Sequence, residues 1–202
     1  MAGPDVRAQL LVAATRLFAQ RGFDGSSLQD IADAVGVRKP SLLYHFASKD
    51  ELRQAVLEEV LARWNDRLPR VLVAATAGTD QFEGVTREIL SFFAEDPDRA
   101  RLLAREALDR PAEIRELLKK HVRPVIANLA EYVRKGQARG TVHSDVDPEA
   151  YLFHMVSVLV CGVAFTDSFG SLMPRHAPEG SPRERLLREL ARMGRAALLR
   201  EP

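Results

Sequence analysis

Apolar residues recur along this chain at intervals of three and four, the spacing of one face of an α-helix, and the pattern predicts helices from end to end. A first helix, from about Asp5 to Gln20, carries Leu10, Leu11, Ala14, Leu17 and Phe18 on one stripe, and Gly22 ends it. Ser27 caps a second helix whose apolar residues are Leu28, Ile31 and Val35. Ala32, on its buried side, is small enough to let another helix cross closely. Gly36 stands where that helix must stop, in a turn that needs a left-handed residue. Val37 plugs the core beneath the turn. Lys39-Pro40-Ser41 opens a third helix, with proline favoured in a first turn, and Leu42 points back to the core. Ser48 and Glu51 form a capping box for a fourth helix that runs towards Leu68, where Pro69 is expected to stop it.

The pattern continues in a longer body. A loop at 77–80 precedes a helix with Phe82, Val85, Ile89, Phe92 and Phe93, and the next spans Asp98 to Asp109 with Leu102, Leu103 and Ala107 inward. Pro111 breaks the chain. Pro124 argues for a split of 112–139 into a short helix at 112–120 and a longer one at about 122–138, closed by Gly140. The stretch Asp145 to Pro148 caps a helix from Glu149 to about Phe169, which holds an apolar run of fifteen residues, Tyr151 to Phe165. A membrane span needs roughly 20 residues, and His154 and Ser157 interrupt the run, so a helix buried on nearly all sides is expected. A loop at 170–180 precedes the last helix, Pro182 to Leu199, striped with Leu186, Leu190, Met193 and Ala197. Its arginines (183, 185, 188, 192 and 195) interleave with Glu184 and Glu189 and read as an ion-paired surface. No internal repeat or low-complexity tract occurs.

The segment from Ser27 to Phe46 has the form of a helix-turn-helix. It leaves Arg38, Lys39, Ser41, Leu43, Tyr44 and His45 facing solvent or a major groove. From Gly36 to Lys49 there are three basic residues, Arg38, Lys39 and Lys49, and no acidic one, whereas an ordinary solvated face mixes signs. The overall charge of +1 hides an uneven spread: residues 1–49 hold six Lys/Arg against four Asp/Glu, and the remainder is slightly acidic. A small basic head on a near-neutral body points to nucleic acid. The single Cys161 excludes an intrachain disulfide and fits a reducing cytoplasm. The N-terminus is not a secretory signal. His45, His121, His143, His154 and His176 lie too far apart in sequence for metal-ligand spacing. No phosphate-binding glycine loop, paired carboxylates or nucleophile–base pattern stands out, so no cofactor and no catalytic residue is expected.

Residues 10–52 resemble the N-terminal domain of the TetR family of transcriptional regulators. The resemblance is carried by Ala14 to Phe18, Gly22-Phe23, Ser27-Leu28, Ile31-Ala32, Gly36-Val37 and the run Leu42 to Leu52, with Tyr44-His45-Phe46 and Ser48-Lys49. Leu43 departs from the pattern, since family members usually carry an aromatic there. The resemblance implies that Ser27, Tyr44, His45 and Lys49 hold phosphates, while Arg38, Lys39, Pro40 and Ser41 lie nearest the bases. From its chemistry alone, Arg38 is the best candidate for a bidentate contact to guanine. The resemblance also implies a homodimer through the last two helices, near 149–169 and 182–199, which agrees with the apolar surface those helices carry. The alternative is that both stripes face their own core.

These readings combine into an all-α fold of about nine helices. A three-helix DNA-binding head covers 1–49, and a larger helical effector-binding and dimerisation body covers 50–202. Two heads of a dimer would read an inverted repeat with centres about 34–36 Å apart. In the body, Phe92, Phe93, Leu103, Tyr132, Phe153 and Met155, with Glu106, His121 and His154 as polar groups, are candidates to line a mostly apolar effector pocket. Helix four is the expected lever between head and body. The expected function is a cytoplasmic repressor released from double-stranded DNA by a small apolar effector. A helical DNA-binding dimer without a ligand, a transcriptional activator, and an enzyme or carrier in which 27–46 is only a structural turn are the alternatives.

Overall fold

In the computed structural model, residues 5–76, 80–172 and 180–200 are described; they form eleven α-helices and no strand. The head is α1 (Val6–Arg21), α2 (Leu28–Val35) and α3 (Lys39–His45), and the long α4 (Lys49–Thr76) leads out of it. The body continues with α5 (Gln81–Glu95), α6 (Pro97–Asp109), α7 (Pro111–His121), α8 (Arg123–Ala138), α9 (Pro148–Ala164), α10 (Thr166–Phe169) and α11 (Pro182–Leu198).

Short-range chemistry sets the head. Asp5 accepts from the Ala8 N–H at the start of α1. The Ser27 and Asp30 side chains each accept the other's backbone N–H at the start of α2. Gly36 closes α2 with φ of 76°, a left-handed conformation that a β-carbon would disfavour. Glu51 reaches back to the Ala47 N–H while Ser48 accepts from Glu51, which starts α4.

Three expectations need correction. Pro69 does not end the fourth helix, which runs through it to Thr76. An internal proline costs about 3 kcal/mol. Here Pro69 itself is exposed, while Val71 and Ala75 beyond it are buried against Val125 and Leu129 of α8, so packing offsets the lost hydrogen bond. Second, the expected helix to Phe169 breaks at Phe165, with a 63° bend between α9 and the segment Thr166–Leu172. The Thr166 hydroxyl donates to the Gly162 carbonyl at 2.6 Å, an arrangement that bends helices. Third, α9 is not buried on nearly all sides. Only Leu159 and Val163 are fully buried, and Phe153, Val158, Cys161 and Phe165 are exposed. Among the described residues no single helix is long and apolar enough to cross a membrane.

One apolar core runs from the head into the body. It links Leu10, Phe18, Ile31, Leu42 and Phe46 through Leu52 and Val56 of α4 to Phe92, Phe93, Leu102, Leu159 and Val163. At the far end, the His143 N–H donates to the Leu198 carbonyl and the Arg200 N–H to the Thr141 carbonyl, which ties α11 to the α8–α9 connection.

Candidate functional site

The buried sides of α2 and α3 are Ile31, Ala32 and Leu42, with Phe46 sealing the exit of α3. This packing leaves Arg38, Lys39, Pro40, Ser41, Leu43 and Tyr44 exposed on one surface. Tyr44 is 86% exposed, an aromatic ring held out in water, with its edge against the half-buried His45 ring at 5.3 Å between centroids. Phe46, by contrast, is core. Arg38 and Lys39 have no carboxylate within ion-pair distance among the described residues. Two candidates are already engaged. The Ser27 hydroxyl lies 2.6 Å from Asp30, whose carboxyl is held below the usual range chiefly by that bond. Lys49 is half-buried, its ammonium 4.1 Å above the Phe23 ring, a cation–π contact.

Phe23 leads to a junction that sequence reasoning missed. Besides Lys49, the guanidinium groups of Arg110 and Arg53 lie 4.4 Å and 5.8 Å from its ring centre. Arg53 of α4 is buried and forms an ion pair at 2.6 Å with Glu106 of α6, itself buried. Arg53 also binds Glu113 of α7. Burial lowers the Arg53 pKa, but the two carboxylates outweigh it and leave it raised, so the guanidinium stays charged. Burial pushes the Glu106 carboxyl up and Arg53 pulls it back, whereas its bond to Arg53 holds the Glu113 carboxyl below the usual range. One residue before Glu106, Arg105 donates to the Ala19 carbonyl at 2.9 Å and the Gln20 carbonyl at 3.3 Å, at the C-terminal end of α1 where helix carbonyls lack partners. So α6 grips both α1 and α4. A signal existed in the sequence: Arg53 interrupts the apolar stripe Leu52, Val56, Leu57, and Glu106 interrupts Leu102, Leu103. Two opposite charges, each on the buried side of its own helix, call for each other.

The opposite side of α6 borders a cavity of about 1530 Å³. Leu103, Ala104, Ala107 and Leu108 face it, together with α5, α7, α8 and α9. Of the expected pocket residues, Phe92, Phe93, Leu103, Tyr132, Phe153 and Met155 line this cavity. Glu106, His121 and His154 do not. Glu106 turns to Arg53 on the other side of α6. His121 lies 3.1 Å from Asn65, and His154 sits on the exposed stripe of α9 beside Phe153. The cavity's polar groups lie elsewhere, among them Thr86, Ser157 and Tyr151. The Tyr151 hydroxyl donates to the Gly194 carbonyl at 2.8 Å, and burial pushes its pKa up, so it stays protonated. Trp64, the one tryptophan of the chain, also borders the cavity, edge-on to Phe92.

Comparison with known proteins gives matches over both parts. Residues 10–56 match the family described as "Bacterial regulatory proteins, tetR family", and residues 79–193 match "Tetracyclin repressor-like, C-terminal domain". The chain is 33% identical over 97 residues to the HTH-type transcriptional activator FasR of Mycolicibacterium smegmatis, covering 48% of this chain and 44% of FasR. Thus the matched segment spans less than half the length of that relative. It is 32% identical over 150 residues to the HTH-type transcriptional regulator RutR of Escherichia coli K12, covering 71% of this chain and 67% of RutR. The ketosteroid transcriptional regulator KstR2 of Mycobacterium tuberculosis has the same fold, with a TM-score of 0.71 at 17% identity over 100% of this chain and 98% of that one.

Proposed function

Because the chain belongs to the tetR family of bacterial regulatory proteins, which are DNA-binding transcriptional regulators, we propose that it acts in the cytoplasm as a homodimeric repressor, released from an inverted-repeat operator when a small, largely apolar effector enters the cavity. The head, residues 1–49, reads DNA, and the body, residues 50–202, senses and pairs. One observation carries this reading: α6 borders the cavity on one side and holds α1 and α4 on the other, through Arg105 and Glu106. An effector that moves α6 therefore reorients the head. By linkage, operator DNA lowers effector affinity by the same factor that effector lowers operator affinity. A second reading, activation, is favoured by the similarity to FasR, a transcriptional activator; the same head and cavity serve either sign.

The experiment is to recover fragments of its own genome bound by the full chain and search them for a shared motif. The expected result is an inverted repeat whose half-site centres are about 34–36 Å, or a multiple of one helical turn, apart. Fragments without twofold symmetry would overturn the dimeric operator reading.

The contacts separate by variant. Arg38→Ala is expected to cost about 1–3 kcal/mol on the operator and to relax preference at one position of each half-site. An equal loss on every sequence in a competition assay would make Arg38 a phosphate contact. Lys49→Ala is expected to weaken binding to all sequences and to reduce the salt slope by about one unit. The partly buried Lys49 must leave the Phe23 ring to reach a phosphate, so an unchanged slope would assign it to the junction alone.

A further inference from the structure

The charged residues around the cavity all have one sign. Arg115, Lys119, Arg123, Lys135 and Arg139 border it, and among the described residues no aspartate or glutamate does. The chain holds 29 basic and 28 acidic residues, so a lining drawn without regard to charge would mix them. Arg115, Lys119 and Arg123 stand at four-residue intervals across the α7–α8 connection. The Lys119 charge is met by Glu116 at 2.8 Å. Arg115 and Arg123 form no ion pair within 4.0 Å among the described residues, although the charge of Arg115 is also felt by Glu116. Deeper in the wall, the buried indole N–H of Trp64 has no hydrogen-bond acceptor among the described residues. The remaining lining is overwhelmingly apolar.

Resting on the reading of this cavity as the effector site, we infer that the effector is an anionic amphiphile: an apolar body that fills the cavity and a carboxylate that the exposed guanidinium group of Arg115 or Arg123 holds beside the α7–α8 connection. An arginine fork matches a carboxylate in shape and charge. A carboxylate entering an otherwise apolar site needs such partners, because its desolvation is costly without them. A neutral ligand would leave both guanidinium groups with water, and a cationic one would be repelled by the charged residues of the lining, a repulsion that the lining's aromatic rings offset only in part.

The full-length protein is titrated with three compounds of equal chain length, each below its micelle concentration or solubility limit: dodecanoate, dodecan-1-ol and dodecyltrimethylammonium. Trp64 fluorescence reports occupancy, as the chain's sole tryptophan lies in the wall. Dodecanoate is expected to half-saturate at a concentration at least about tenfold lower than the other two, an advantage of about 1.4 kcal/mol. Added salt should shrink that advantage. Arg115→Gln with Arg123→Gln should reduce it below about threefold while leaving dodecan-1-ol binding unchanged. Lys120→Gln, which removes an exposed charge of α7 outside the lining, should preserve it. Equal binding of all three compounds, or preference for the cation, overturns the anionic assignment and leaves the apolar effector reading intact. No saturable change with any of the three overturns both.

Discussion

Arg53→Met is expected to lower the unfolding free energy by about 3–5 kcal/mol, the range for removing one partner of a buried ion pair. The loss does not come from the arginine's own contacts alone. Glu106 would remain buried in α6 without its ion-pair partner and with only the weaker influence of Arg110, whereas the half-exposed Glu113 could return to water. The thioether stem fills much of the vacated volume, so a cavity contributes little. Replacing both members, Arg53→Met with Glu106→Leu, should bring stability back to within about 1–2 kcal/mol of the parent, since apolar packing substitutes well for a buried pair. Urea unfolding of the three proteins measures this. A single variant within about 1 kcal/mol of the parent would show that the pair is not a structural link. The double variant asks a further question. If it folds well yet no longer responds to effector, the ion pair is needed for signalling from α6 to α4, apart from its effect on stability.

The second large effect concerns assembly. Val158→Glu together with Met193→Glu is expected to raise the dimer dissociation constant at least about 100-fold, because each carboxylate would lose water without gaining a partner, at several kcal/mol apiece. Both parent residues are exposed in the single chain, at 53% and 57%, so the variant should fold. Operator affinity should fall with the dimer, as one head alone reads only a half-site. Sedimentation equilibrium decides the point; a well-folded dimer would place the interface elsewhere. Leu190, which the apolar stripe of the last helix singles out, is a poor choice for this test. It is partly buried against the core and borders the cavity, so a charge there would disturb folding and effector binding instead. Four exposed residues of α9 and its C-cap, His154, Val158, Cys161 and Phe165, repeat at intervals of three and four. They offer a partner the stripe that the apolar run Tyr151 to Phe165 suggested.

Some features of this protein were determined by sequence alone because their physics is local. A capping box spans four residues, a left-handed turn needs one glycine, and an apolar stripe repeats within one helix. Hence the ends of α2, the turn at Gly36, the inward Leu42 and the outward Arg38 and Tyr44 were legible without coordinates. Pro111 and Pro124 were legible as breaks, within about a residue of where α7 and α8 begin. Only the tertiary structure decided the features that depend on residues far away in the chain. Pro69 lies inside a helix because α8 packs beyond it. The apolar run of α9 is half-exposed because α5, α6, α8 and α11 pack on only part of its circumference. Most of all, periodicity marks Leu103 and Glu106 as sharing a face region of α6, but not that one borders a void while the other meets Arg53, 53 residues earlier. Whether a residue turned towards the interior lines a cavity, joins the core or neutralises a charge is set by what several other helices place opposite it, and spacing within one helix carries no record of that.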